Sequence, residues 1–431
     1  MIRRFFKNLA NLKLAILILL IIAIVISIGS IIEQNREIQF YQKGYSYILF
    51  GLQLWKIILF LGLNNIYSTW WFFLLLFILG LSLTCCTIIQ QLPTLKFSRR
   101  YYFYKQINQF NKLTFKLEKN LVFKTHLSYT LLSKEYSLFR QHNTIYAYKG
   151  LISRIGPIIV HCSIICILLG STLGALTGFN SQELIAKTEI FHTQNILKNG
   201  MFSSISPITF RVNDFWTIYN KDNQIKQFYS DISVLNGQGV EYKRKTISVN
   251  NPLLLNKLII YQTDWTILGI RIKFFKDDFS PINLQLPILK VNNLNNQKFW
   301  ISSLLNKPNK TGKILLLVKN TRGQVGLYSN EGKFIKNVNI GENFDNLNLN
   351  LNNFKILDII SSTGIQIKSD PGVKLIYTGF FFLISSSIIS YISFSELWLL
   401  QFSNKVLFGG KTNRAKIKFK IEFLKFQQSF N

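Results

Sequence analysis

The run Arg154 to Phe179, RIGPIIVHCSIICILLGSTLGALTGF, has the length and apolarity of a membrane-spanning helix, yet it carries His161 in its first third. An ionisable side chain inside a bilayer is costly and ordinarily faces a partner group or a cavity, which makes it a functional-site candidate. On a helical projection Gly156, Gly170, Gly174 and Gly178 gather on one side, and His161 points away from Gly170. Gly170, Gly174 and Gly178 repeat as a doubled G-x-x-x-G, a spacing that lets a second helix approach the backbone closely. One face is therefore a packing face, and the histidine looks elsewhere. Two chemistries suit it: a hydrogen bond to a neighbouring helix, or, as a neutral imidazole, axial ligation of a metal such as haem iron.

The chain around this run has 431 residues, 48% of them hydrophobic and only 16% charged. Its net charge of +30 invites a nucleic-acid reading, so the distribution of the charge decides. Leu92 to Arg154 holds twelve Lys or Arg against two acids, the stretch after Glu396 seven against one, and the first thirteen residues four against none. Residues 180–372 hold 23 basic and 14 acidic residues, a milder excess for their number. Basic residues thus crowd beside the apolar runs, as the positive-inside rule expects, and no nucleic-acid-binding motif accompanies them.

Taken in order, a basic opening (MIRRFFKNLANLK) precedes the uncharged run Leu14 to Ile32. Its nineteen residues reach nearly 30 Å as a helix, enough to cross a hydrocarbon core. Residues 47–63 are apolar but interrupted by Lys56, and they read as an interfacial amphipathic helix. Trp70 to Ile89 is a second span, opened by an aromatic pair and closed by Gln90, Gln91 and Pro93. Residues 94–153 form a basic loop whose alternating stretches suggest a small sheet or hairpin, and His126 and His142 within it read as surface residues. The third span is 154–179. Residues 180–372 alternate with period two over long stretches and predict a mostly antiparallel β domain, with turns at Asn236-Gly237 and Asn250-Asn251-Pro252. The Asn- and Lys-rich part of that domain, VNNLNNQK and ENFDNLNLNLNN, gives no firm strand pattern. After Asp370-Pro371-Gly372 a fourth span runs over 373–395, and 396–431 is a basic tail. The fold class is an α-helical membrane protein with four spans and a large β-rich domain between the third and fourth.

Cys85, Cys86, Cys162 and Cys166 all lie in the predicted spans, and no C-x-x-C or C-x-x-C-H occurs. This excludes a thioredoxin-like centre and a c-type haem attachment site in the chain itself. Small apolar fillers is the reading these cysteines receive. Transport of another solute is disfavoured too, because the spans lack charges and are too few for the usual inverted repeats.

The order of these segments resembles the ResB-type membrane proteins of the System II cytochrome c assembly pathway, most like the plastid and cyanobacterial members. The resemblance is carried by LKLAILILLIIAIVISIGSIIEQN, FYQKGY, STWWFFLLLFILGLSLTCCTIIQQLP and the His161 span. DFWTIY, QFYSDISVL, TISVNNPL, YQTDW and DPGVKLIYTGFFFLISSSIISYISF complete it. It implies a subunit of a cytochrome c haem-lyase complex rather than an enzyme alone. Such proteins work with a tryptophan-rich CcsA-type partner to move haem b across the thylakoid membrane for covalent attachment to apocytochromes c, cytochrome f among them. The resemblance also implies thioredoxin-like thiol reductants as associates and a plastid thylakoid location, with stromal termini and a lumenal β domain. A cyanobacterial thylakoid or plasma membrane is the other location it allows. The family's intramembrane histidine falls on His161, which becomes the haem-iron ligand candidate; Arg154 is a candidate for a propionate or a topology anchor, and His192 for an outer ligand. YQTDW and VNNPL are candidate docking stretches for apocytochrome that core packing explains equally well. The competing reading is a scaffold that stabilises the haem-handling partner and docks apocytochrome without binding haem.

Overall fold

The structure is a computed structural model describing residues 2–49, 52–120, 124–205, 207–221, 224–276, 279–292, 298–305, 313–329, 331–344, 353–402 and 405–428. It divides into two compact units, Met1–Ala175 with Gly372–Asn431, and Leu176–Pro371. The first unit contains four helices long and apolar enough to cross a membrane: Leu12–Ile31, Trp70–Ser98, Leu151–Thr177 and Val373–Ser390.

Each span is set by local chemistry. Asn11 caps the first, its side-chain oxygen accepting the Lys13 N–H at 3.1 Å. Pro157 sits in the first turn of the helix Gly156–Thr177, where its missing N–H costs nothing. The second span differs from expectation. It does not stop at Gln90, Gln91 and Pro93 but continues through a π-helical turn at Thr87–Gln91 into Leu92–Ser98. Proline has no N–H to give and its ring crowds the carbonyl four residues back, so the helix widens by one residue and absorbs it.

Residues 47–63 do not form one amphipathic helix. A short strand pair, Ile48–Leu49 with Leu52–Gln53, leads into the helix Leu54–Phe60, and a 3-10 turn follows at Leu63–Ser68. Seven residues reach only about 10 Å, so this segment does not cross. Ile58 packs with Ile32 and Tyr41 in a small cluster at the end of the first span. Gln34 ties the cluster down: its amide NH2 lies within 3.1 Å of the carbonyl oxygens of Gly29, Ile32 and Leu63, which share its two hydrogens, and its oxygen accepts from the N–H of Ile66.

The basic loop and the basic tail are one structure. Strands run in the order Phe115–Asn120, Lys405–Thr412, Ser395–Phe402, Thr144–Lys149, Ser137–Gln141, all antiparallel. The tail supplies the two strands that bridge the loop strands, and the helix Lys416–Gln428 lays Phe419, Phe423 and Phe426 on Phe115 and Phe408. Trp398 stacks on Tyr104 with ring centres 4.5 Å apart. The sequence reading of separate segments missed this because a sheet joining residues some 250 apart leaves no local periodicity to read.

The second unit is β throughout, as its alternation predicts. Leu258–Lys276 pairs along its length with Phe354–Ser369, which pairs in turn with Phe179–Ala186. A four-stranded sheet of Ile190–His192, Thr209–Tyr219, Ile225–Leu235 and Glu241–Ser248 lies with it over a core of Phe210, Val212, Ile232, Val234, Ile260 and Ile367. A buried polar triad joins them: the Ser230 hydroxyl donates to Thr363 at 2.8 Å, and the Gln262 amide donates to Ser230 at 2.8 Å. At the Asn236 turn the left-handed residue is Gly239 (φ +79°), with Asn236 accepting from the N–H groups of Gln238 and Val240. Asn250 takes a left-handed conformation at the other predicted turn.

The Asn- and Lys-rich part forms a five-stranded meander from Leu289–Asn292 to Phe334–Asn339. Its core holds Trp300, Leu316, Val318, Val325 and Leu327. Most of VNNLNNQK and ENFDNLNLNLNN lies outside the described residues.

Candidate functional site

The third span presents different faces to its two neighbours in the first unit. Toward the fourth span it turns Gly156, Ser163 and Gly170, all buried and seven residues apart. A Cβ on Gly170 would stand 3.0 Å from the Gly372 carbonyl oxygen and 3.0 Å from the Ile376 nitrogen. One on Gly379 would stand 3.0 Å from the Ser163 carbonyl oxygen, and one on Gly156 would run into Ser390. The contacts descend one helix as they climb the other, so the pair is antiparallel. The seam has period seven with a serine in the middle, the spacing that holds one stripe against a partner helix. Of the expected Gly170, Gly174 and Gly178 set, Gly174 offers its backbone to Gly372. Gly178 lies one residue past the helix end, where its carbonyl accepts the N–H of Gly200 at 2.8 Å.

The opposite face meets the second span. Leu168 lies 3.9 Å from where a Cβ on Gly80 would be, and Ile164 and Ile165 pack on the cluster that includes Leu79 and Leu83. Seven residues farther along both antiparallel helices, the Thr87 hydroxyl oxygen lies 3.0 Å from Nδ1 of His161. Thr87 is buried, and its hydroxyl donates to the Leu83 carbonyl at 2.8 Å. His161 is half-buried, and among the described residues nothing hydrogen-bonds its Nε2. The imidazole is thus held through one nitrogen.

Residues 12–321 and 320–424 match the ResB-like family. The chain is 46% identical to the cytochrome c biogenesis protein Ccs1 of Trieres chinensis, over 97% of this chain and 98% of that one. It is 43% identical to the Ccs1 of Phaeodactylum tricornutum, over 98% and 99% of the two chains. With the Ccs1 of Porphyra purpurea it shares 45% identity over 96% and 94%. The chain belongs to the ResB-like family.

In this ResB-like protein the other sequence candidates make contacts of their own. Arg154 lies in the 3-10 turn Leu151–Arg154 that opens the span carrying His161. Its guanidinium carbon lies 4.8 Å from the ring centre of Phe394, with Glu396 and Tyr146 as its electrostatic neighbours. His192 is exposed in the second unit, on the strand Ile190–His192, with its Nε2 3.0 Å from the Gln194 amide. His142 is exposed at a left-handed turn position, and the side chain of His126 lies outside the described residues. Gln262 and Trp265 of YQTDW are buried, while Val249 to Asn251 of VNNPL are exposed. All four cysteines are free thiols. Among the described residues no three His, Cys, Asp or Glu side chains gather as a metal cluster.

Thr87 was not legible as a site residue. It is one hydroxyl in LSLTCCTIIQQ, and only the register between the second and third spans singles it out.

Proposed function

We propose that this ResB-like protein serves cytochrome c biogenesis by presenting His161 to haem iron, haem b being the cargo. The observation that carries this reading is the imidazole of the third span, held through Nδ1 with no hydrogen bond to Nε2 among the described residues. Haem is a largely apolar plate with an anionic edge, and an apolar span offering one neutral imidazole suits its iron. One imidazole does not complete an iron's coordination, so a second protein supplies what is missing. A CcsA-type haem-handling partner fills that role, and only 11% of the third and fourth spans' apolar windows is buried within the chain, leaving surface for it and for lipid. The acceptors are apocytochromes c, with thiol reductants keeping their cysteines reduced. The chain is a subunit of this machine, resident in the thylakoid membrane of a plastid. Its basic flanking segments face the stroma and its β unit the lumen.

The test is the absorption spectrum of the complex co-expressed with its CcsA-type partner, wild type against His161→Ala, with accumulation of both proteins verified. Loss or shift of the Soret band, restored by added imidazole, supports ligation. Unchanged haem content together with failed cytochrome assembly would replace the reading with that of a scaffold.

A further inference from the structure

We propose that Thr87 is a positioning residue for the cargo: it holds His161 as the Nδ1–H tautomer and so keeps the Nε2 lone pair available to iron. The inference rests on the reading of His161 as the haem ligand and adds what makes that histidine competent.

The argument is one of proton accounting. A threonine hydroxyl has one hydrogen, and that of Thr87 is given to the Leu83 carbonyl, four residues back in its own helix, at 2.8 Å. What the Thr87 oxygen turns toward Nδ1 at 3.0 Å is therefore a lone pair, and the imidazole must be the donor. A neutral imidazole carries a single N–H, so with Nδ1 protonated Nε2 is bare. Without such a partner a neutral histidine favours the other tautomer, whose Nε2–H cannot bind a metal. The bond has a second effect, because a ligand histidine that donates its remote N–H is fixed in orientation and made more basic.

The fold makes Thr87 a rigid clamp. Its side chain is β-branched and buried, its hydroxyl is back-bonded, and its carbonyl accepts the Leu92 N–H across the π turn. One heptad away on the same two helices, Leu168 packs at Gly80, 3.9 Å from where a Cβ would be. π turns inside helices recur at functional positions, and this one begins at the residue that touches the histidine.

Two measurements separate this inference from the reading beneath it. The first uses the full chain in lipid bilayers without haem, labelled with 15N-histidine, with His161 assigned by comparison with His161→Ala. Magic-angle-spinning NMR should show Nδ1 protonated and Nε2 bare in the wild type and in Thr87→Ser. Thr87→Val should move the signal toward the Nε2–H form. An Nε2–H tautomer in the wild type, or a tautomer indifferent to Thr87→Val, overturns the clamp.

The second uses the complex with its haem-handling partner. Thr87→Val should weaken haem retention about 10- to 100-fold and lower the iron–imidazole stretching frequency in resonance Raman spectra, with Thr87→Ser restoring both. If His161→Ala abolishes the haem signature while Thr87→Val leaves it at wild-type values, His161 remains the ligand and the role of Thr87 is refuted. If His161→Ala changes nothing, the ligand reading fails and takes the cargo role of Thr87 with it, whatever the NMR shows.

Discussion

A Cβ on Gly170 would stand 3.0 Å from the carbonyl oxygen of Gly372, so the third and fourth spans touch backbone to backbone there. Without water to drive helices together, such close approach supplies the packing that joins spans. Gly170→Leu forces the pair apart and should cost about 1–3 kcal/mol, read as a lower melting temperature of the protein in lipid nanodiscs. Gly44→Ala is the control, since nothing lies within 4 Å of its new methyl group. Equal melting temperatures for both variants would show that the seam is not a determinant of stability.

The sheet that flanks the spans depends on its C-terminal strands. Phe408, on Lys405–Thr412, is 1% exposed and stacks on Phe423 with ring centres 5.0 Å apart. Phe408→Ala should cost about 3–5 kcal/mol through lost burial and the cavity left behind. Limited proteolysis reads the effect: cleavage should rise not only near Phe408 but within 94–153, whose strands pair with the tail. Cleavage confined to the tail would mean that the loop folds without it.

The spans and the β-rich second unit were legible because burial imposes a period on the sequence that contains them. Leu14 to Ile32 needs no partner to be recognised, and neither does the alternation in QFYSDISVL. What escaped reading depends on which distant segments meet. Trp398 looked like a residue just past a span, whereas its indole N–H donates to the Tyr102 carbonyl at 2.7 Å inside a shared sheet. Pro93 looked like a terminator because the π turn that absorbs it has no sequence mark of its own. Thr87 needed the register of two helices, which a single chain does not print.

Trp300 tests whether the Asn- and Lys-rich meander is an integral part of the second unit. Its indole is 2% exposed, lies tilted against Trp265 with ring centres 5.2 Å apart, and donates its N–H to the Thr266 hydroxyl at 3.0 Å. Removing it deletes a large buried ring and leaves Thr266 without that donor. Trp300→Ala should cost about 3–5 kcal/mol, and tryptophan fluorescence should report earlier unfolding around Trp265 as well. Loss of structure limited to residues 289–339 would make the meander an independent appendage.

Tyr146 gives the flanking sheet a defined response to alkaline pH. It is 1% exposed, and its hydroxyl donates to the Glu396 carboxylate at 2.9 Å. Burial first, and then the negative charge of Glu396, pushes its phenol well above the ordinary value near 10. Tyr136 is raised too, by burial and by Glu422. A phenol whose pKa is raised by folding keeps its proton in the folded state while the unfolded chain loses it. Its contribution is therefore complete below about pH 10 and is lost as pH climbs from there through the folded pKa, by up to about 1.4 kcal/mol per pH unit for each group. Stability measured from pH 8.5 to 11 should fall steeply above 10 in the wild type. Tyr146→Phe should start lower, with Glu396 missing its donor, but decline more gently, and adding Tyr136→Phe should flatten the curve further. Parallel curves for the three proteins would show that neither phenol titrates differently on folding.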